Sequence, residues 1–178
     1  MKGIKEIALR LKELGIAARF PKTRSIHLTL KFLGDIDESM VERVKQVLER
    51  SDRSCGCFDL HVEGLGVFPS LRKPRIVWVG VRRESALDKL QRGLEASLQV
   101  LGFEAERRPF RPHLTVARLK SSRNISELQC FLESEGRDFA VGSFAVDAIH
   151  LYRSVLHPDG PEYQKLSTCE LGVRGTDS

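Results

Sequence analysis

One short pattern occurs twice in this chain and constrains the fold more than any other feature. Residues 27–30 read His-Leu-Thr-Leu, and residues 113–116 read His-Leu-Thr-Val. Side chains two residues apart in a β-strand lie on the same face, so each copy is expected to present an imidazole beside a hydroxyl, with the leucine turned away. A chance repetition is improbable in a chain with only five histidines. We therefore expect two strands whose histidines and threonines meet in one pocket.

Two histidines and two threonines in one pocket favour acid–base chemistry at phosphorus. Histidine titrates near neutral pH, so one ring can accept a proton while the other donates one. Threonine hydroxyls can donate to phosphate oxygens as charge develops on them. A single His-x-Thr in a strand is more often structural, because threonine is an ordinary strand residue. His61, His150 and His157 lie outside the repeat, and we interpret them as structural or solvated.

The spacing of apolar residues predicts an α+β protein. Helices are predicted over residues 4–14, 37–48, 87–101 and 125–133. Strands are predicted over residues 25–33, 58–62, 76–81, from 113 onwards, through 144–149 and over 163–171, with Gly64 and Gly66 in a loop. The order is similar in the two halves. We therefore expect one bilobal domain over residues 1–178, with two pseudo-symmetric lobes of antiparallel sheet (roughly 1–80 and 81–178), helices outside and a central cleft.

Composition and motifs exclude several other classes of protein. No apolar run approaches the length of a membrane span, and the first residues lack the apolar core of a secretory signal. Four cysteines without zinc-knuckle spacing, Cys55 and Cys57 among them, indicate reduced thiols in a cytoplasmic protein. Neither a glycine-rich phosphate loop nor a serine-hydrolase elbow occurs. The net charge of +5 fits an anionic partner.

Several segments together resemble one known family. Residues 27–34 (HLTLKFLG) and 112–118 (PHLTVAR) are similar to the paired motifs of the two-histidine (2H) phosphoesterase superfamily. The closer resemblance is to the RNA 2′,3′-cyclic phosphodiesterases, historically called 2′-5′ RNA ligases. Residues 68–69, 74–80 and 153–163 resemble further segments of that family. The similarity covers roughly residues 20–170.

The resemblance implies metal-independent hydrolysis of a 2′,3′-cyclic phosphate at an RNA end to a 2′-phosphate, with no cofactor. By motif, His27 would donate a proton to the departing 3′ oxygen and His113 would activate water. Thr29 and Thr115 would hold the phosphate. The residues themselves do not order the two histidines. Ligation through a 2′-5′ bond, or RNA-end binding without catalysis, are the alternatives.

Three arginines are candidate phosphate ligands. Strict alternation places Arg111 on the face of His113 and Arg118 on the opposite face, whereas the resemblance favours Arg118. A β-bulge would reconcile the two. Arg153, in the last resembling segment, is the third candidate.

The expected partner is RNA with a 2′,3′-cyclic phosphate end, transfer RNA fragments being one candidate. We expect a monomer with no membrane role. The family has a short apolar strand before the first helix, and here that strand is expected to be missing, either through a truncated start or because the protein lacks it.

Overall fold

The computed structural model describes residues 2–51, 56–157 and 160–172, which form two compact units. Each unit is assembled from three separate segments. The first contains Met1–Thr29, His61–Arg82 and Arg111–Ser143, and the second contains Leu30–Leu60, Arg83–Phe110 and Phe144–Ser178. Each unit therefore draws on both halves of the sequence. One change of unit, between Arg82 and Arg83, lies near the expected lobe boundary, and the other changes of unit lie elsewhere. The difference arises because strands distant in sequence pair with one another.

The chain contains four α-helices and seven strands within its described residues. The helices are α1 (Lys2–Glu13), α2 (Glu38–Ser51), α3 (Ser85–Val100) and α4 (Ile125–Phe131). The strands are β1 (Ala18–Arg19), β2 (Phe58–Phe68), β3 (Ile76–Val81), β4 (His113–Leu119), β5 (Ala140–Val146), β6 (Ala148–His157) and β7 (Gly160–Glu170). One sheet has the order β1-β4-β3-β2-β5, and β6 pairs with β7 in a second, antiparallel sheet. None of the described helices has the length and hydropathy of a membrane span.

Helix α1 covers the buried side of β4 in the first unit. Its apolar residues Ile4, Ile7 and Leu11 recur at helical spacing and are all buried, so the predicted helix is confirmed. The helix ends at Glu13, and Gly15 in the turn that follows has a φ of +67°, which suits a residue without Cβ. The side-chain amide of Asn124, just before α4, donates to a carbonyl at this end of α1 (2.9 Å). The two helices are thereby tied together beside the sheet.

The strand predicted over residues 25–33 is wrong as a regular strand. Thr23–Ser25 form a 3₁₀ turn, and pairing is limited to one antiparallel bridge between Leu28 and Leu114. Upstream, β1 pairs with the far end of β4. Pro21 cannot donate a backbone hydrogen bond, so the ladder cannot continue from β1 into the first motif. The chain leaves the sheet in a turn and returns at Leu28.

Two further predictions differ from the structure: the loop at Gly64 and Gly66, and the single strand through 144–149. Strand β2 continues through Gly64 and Gly66, which were predicted to lie in a loop. Gly64 (φ +71°) sits in a register shift between Glu63 and Leu65, where glycine permits a bulge. The strand predicted through 144–149 is two strands, β5 and β6, which are separated at Asp147. The carbonyl of that residue accepts a hydrogen bond from Leu171 N–H (2.7 Å).

The second unit packs α2 and α3 against the β6–β7 sheet around its own core. The buried core residues are Val44, Leu48, Leu90, Leu94, Leu98, Ile149, Leu151, Cys169 and Leu171. The leucines of α3 recur at helical spacing, as predicted, and the final strand is also confirmed.

A nearly buried ion pair joins the end of the first motif to the segment that precedes the second. Lys31 Nζ donates to Glu95 Oε1 and to the Glu104 carbonyl (both 2.6 Å), and the side chains of the Lys31–Glu95 pair are only 8% and 15% exposed. Glu106 N–H donates to the same carboxylate oxygen (2.8 Å). Burial opposes ionisation of Glu95, but the hydrogen bonds from Lys31 and Glu106 outweigh it, so the pKa of Glu95 is lowered. The ion pair therefore orders residues 104–106.

Gly66 and Gly93 offer a matched test of close packing. A Cβ at Gly66 would overlap the indole of Trp78, whereas nothing lies within 4 Å of a Cβ at Gly93 in α3. We expect Gly66→Ala to lower the free energy of unfolding by about 1–3 kcal/mol, because the ring must shift. Gly93→Ala should raise it by about 0.5–1 kcal/mol. Urea denaturation followed by fluorescence of the single tryptophan checks both, and equal effects would contradict the packing.

Candidate active site

The four motif residues come together around the bridge between Leu28 and Leu114 in the first unit. Continuing the antiparallel register from that bridge sets His27 beside Thr115 and Thr29 beside His113. Leu114 is 5% exposed, because its side chain turns into the core. The imidazoles and hydroxyls therefore lie on the opposite face, where His27 and Thr29 are exposed and the other two half-buried.

The two motif histidines make the same kind of hydrogen bond to the backbone. His27 Nδ1 lies 2.8 Å from the carbonyl oxygen of Ser25, and His113 Nδ1 lies 2.6 Å from that of Arg111. In each case the partner is the residue two positions earlier. A carbonyl oxygen can only accept, so each Nδ1 carries the hydrogen and donates it. The backbone therefore engages Nδ1 of both rings.

An aromatic wall made of Phe68 and Trp78 packs against His113. The Phe68 ring meets the imidazole edge-on, with centroids 5.0 Å apart, and the indole centroid is 6.1 Å from it. The two aromatic rings also contact each other at 5.2 Å. Trp78 pairs with Thr115 across the ladder, and Gly66 opposite it leaves room for the indole. The wall limits the orientations that His113 can adopt.

A β-bulge in β4 turns Arg118 onto the face of the motif residues. Trp78 pairs with Thr115, and the next residue of β3 along the ladder pairs with Ala117. Val116 has no partner on β3 and is the extra residue of β4. Val116 and the next residue are both buried, and alternation resumes with Arg118 exposed. Its predicted place on the opposite face is therefore wrong, and the bulge considered from the sequence is present.

Arg118 is thus on the motif face, and the other two candidate arginines are both exposed. Arg111 is exposed, and its carbonyl is the acceptor for the ring of His113. Arg153 belongs to the second unit, where it is exposed on β6 and lies 3.5 Å from Glu38. Cys55 and Pro158, which belong to segments discussed above, lie outside the described residues.

Two residues of this unit lie beside candidate site residues and were not predicted from the sequence to do so. Phe68 was noted only as part of a resembling segment, and its contact with His113 depends on the β2–β3–β4 pairing. Arg19 was not considered, although it pairs directly with Arg118 across β1 and β4. Phe68 belongs to a resembling segment and Arg19 to none, and the strand register is what shows their neighbours.

His150 forms a further histidine–threonine pair, in the other unit. Its Nδ1 lies 3.0 Å from Thr168 Oγ1 across the β6–β7 ladder. Burial lowers the pKa of His150, the charge of Lys165 lowers it further, and Asp147 opposes the shift. His150 is therefore held towards its neutral form.

Comparison with known proteins decides the family. The model of the 2′-5′ RNA ligase superfamily matches residues 6–158. The chain belongs to this superfamily. An RNA 2′,3′-cyclic phosphodiesterase of Methanothermobacter thermautotrophicus is 37% identical over 161 residues, which cover 90% of this chain and 86% of that protein. Membership, which the sequence motifs predicted, is confirmed.

Solved structures agree with the fold of the 2′-5′ RNA ligase superfamily. The crystal structure of TT0787 of Thermus thermophilus matches with a TM-score of 0.81 at 24% identity, covering 97% of this chain and 91% of that one. The structure of E. coli LigT complexed with 3′-AMP matches with a TM-score of 0.72 at 25% identity, covering 94% and 91%. The α+β class predicted from the sequence is confirmed.

The backbone hydrogen bonds predict one tautomer for both motif histidines. We expect neutral His27 and His113 to carry hydrogen on Nδ1, because each Nδ1 faces a carbonyl. Long-range ¹H–¹⁵N correlation spectra distinguish protonated from unprotonated ring nitrogens. His150 is the internal comparison, since its threonine partner can donate or accept. Hydrogen on Nε2 of both motif histidines would contradict the geometry.

Proposed function

We propose that this chain hydrolyses the 2′,3′-cyclic phosphate at RNA ends to a 2′-phosphate. The observation that carries the proposal is the bridge at Leu28 and Leu114, which sets two histidines with matching Nδ1 bonds and two threonines on one face. The relative from Methanothermobacter thermautotrophicus is named for this activity. The net charge of +5 suits an anionic substrate.

The reaction is an in-line displacement at phosphorus that needs one proton acceptor and one donor. His113 Nε2 removes a proton from water as the water oxygen bonds to phosphorus. The bond from phosphorus to the 3′ oxygen breaks, and protonated His27 Nε2 gives that oxygen a proton. The products are a 3′-hydroxyl and a 2′-phosphate, and proton exchange with solvent restores both rings. General acid–base catalysis of this kind requires no metal.

The remaining residues on the face bind and orient the phosphate. Thr29 and Thr115 donate hydroxyl hydrogens to non-bridging oxygens, where charge rises in the transition state. Arg118 adds a guanidinium on the same face, suited to phosphate oxygens. Phe68 and Trp78 act as positioning residues, because their rings limit the orientation of His113. Arg111 and Arg153 are further proposed ligands of the RNA backbone.

The natural substrate and setting are part of the same proposal. Transfer RNA fragments that end in a cyclic phosphate are one proposed substrate, acted on by a monomer in the cytoplasm. End joining through a 2′-5′ bond is the same displacement with a 5′-hydroxyl in place of water: the 5′ oxygen bonds to phosphorus and the 3′ oxygen departs. Rates of hydrolysis and of end joining measured at equal RNA concentration distinguish the two activities.

The product shows whether the bond from phosphorus to the 3′ oxygen or the bond to the 2′ oxygen is broken. Incubating a short RNA that ends in a 2′,3′-cyclic phosphate with the protein and excess EDTA should yield a 2′-phosphate. The product is separated by chromatography against authentic 2′- and 3′-phosphate standards. A 3′-phosphate would reverse the roles of the two histidines, and activity that requires added metal would contradict the mechanism.

Removing either motif histidine should strongly reduce turnover without unfolding the protein. We expect His27→Ala and His113→Ala to lower kcat/KM by about 10²–10⁴-fold, the usual contribution of one positioned acid or base. His61→Ala is the matched control, because His61 is an exposed histidine on β2 in the same unit. Thermal melting verifies folding of each variant. Full activity in either motif variant would refute the two-histidine mechanism.

A further inference from the structure

The backbone of Thr29 is held by fewer contacts of its own than that of Thr115, its counterpart in the second motif. Thr115 belongs to the regular strand β4, where it pairs with Trp78 of β3. Thr29 follows the isolated bridge at Leu28, lies outside the strands described above, and has an exposed side chain. A ladder fixes several consecutive residues, whereas a single bridge fixes the backbone only where it forms. The position of Thr29 therefore depends on what holds the chain on its other side.

Lys31 supplies a fixed point two residues after Thr29. Its ammonium donates to Glu95 Oε1 and to the Glu104 carbonyl, both at 2.6 Å, and its side chain is only 8% exposed. Moving this ammonium would break the pair and leave a charge buried without a partner, which is strongly unfavourable. Two Cα steps span about 7 Å at most, so Lys31 restrains Thr29 through the chain itself.

We propose that Lys31 is a positioning residue, which holds the Thr29 hydroxyl where it donates to the phosphate in the transition state. The inference rests on the proposed function for the role of Thr29. Lys31 acts through the backbone, because its buried ammonium is engaged by Glu95 and by the Glu104 carbonyl. A misplaced hydroxyl stabilises the transition state less while ground-state binding changes little, so loss of Lys31 should lower kcat more than it raises KM.

A double-mutant cycle in turnover tests whether Lys31 acts through Thr29. On an RNA that ends in a 2′,3′-cyclic phosphate, we expect Lys31→Met to lower kcat about tenfold and to leave KM within about twofold. In a Thr29→Val background the same change should have almost no further effect on kcat, because the hydroxyl that Lys31 positions is absent. In a Thr115→Val background the full effect should remain. Equal effects in the two backgrounds would overturn the proposal, since a purely structural role does not distinguish the two threonines.

Lys45→Met is the matched control for loss of a lysine ion pair. Lys45 belongs to the same unit as Lys31, and its ammonium lies 2.7 Å from Glu42, but the side chains of this pair are 28% and 67% exposed. A solvated ion pair contributes little to holding a backbone in place. We therefore expect Lys45→Met to change neither kcat nor KM.

A second variant covers the case in which Lys31→Met does not fold. The single substitution leaves the Glu95 carboxylate, only 15% exposed, without its ion-pair partner. Lys31→Met/Glu95→Met removes both charges, and apolar replacement of a buried pair is often tolerated. Two flexible thioether chains cannot replace the directional bonds, so this variant should show the same loss of kcat and the same dependence on Thr29. Wild-type kcat in the folded double variant would refute the role of Lys31.

A measurement without substrate separates this inference from the catalytic proposal. The threonine methyl group shares Cβ with the hydroxyl, so its NMR order parameter reports how firmly the side chain is held. In Lys31→Met, or in the double variant, the order parameter of the Thr29 methyl should fall and that of Thr115 should not change. An unaltered value for Thr29 refutes the role of Lys31, even if wild-type hydrolysis is normal. Conversely, absence of wild-type hydrolysis together with a lowered value for Thr29 refutes only the proposed function.

Discussion

The backbone pairing of β4 is the constraint on which the site depends. This strand is buried on one face, so its register decides which side chains reach the other face. Along one edge, β4 pairs with Leu28 of the first motif near its start, at Leu114, and with β1 at its end. A shift of that bridge by one residue would turn the first histidine and threonine into the core. The site is therefore specified by the bridge between half-buried Leu28 and buried Leu114 rather than by direct attraction between its polar groups.

The alternation of side chains made much of this site predictable. The repeated His-x-Thr pattern was sufficient to expect four polar groups on one face, because the intervening leucines need burial. The helices with periodic leucines and isoleucines were predictable for the same reason, as α1 and α3 illustrate. In each of these segments, local pattern and tertiary packing favour the same conformation.

The predictions that differ from the structure are those in which tertiary pairing overrides a local pattern. Residues 25–33 are apolar enough for a strand. Pairing with β4 nevertheless stops before Pro21 and resumes only as a single bridge at Leu28. Gly66 suggested a loop because glycine is rare in strands, yet the indole of Trp78 occupies the place of its missing side chain. The face of the sheet on which Arg118 lies depends on a bulge, and valine at position 116 does not predict a bulge.

The two motifs show that repeated chemistry does not require repeated secondary structure. His113 lies in a regular strand and His27 in an irregular segment, yet each ring donates to the carbonyl two residues before it. That local bond depends only on the backbone between the histidine and its acceptor. Their wider surroundings differ, since aromatic rings pack against His113 while His27 is exposed. The two imidazole rings are therefore held by the same backbone bond but differ in exposure and in neighbouring rings. Such a difference allows one histidine to act as the acid and the other as the base.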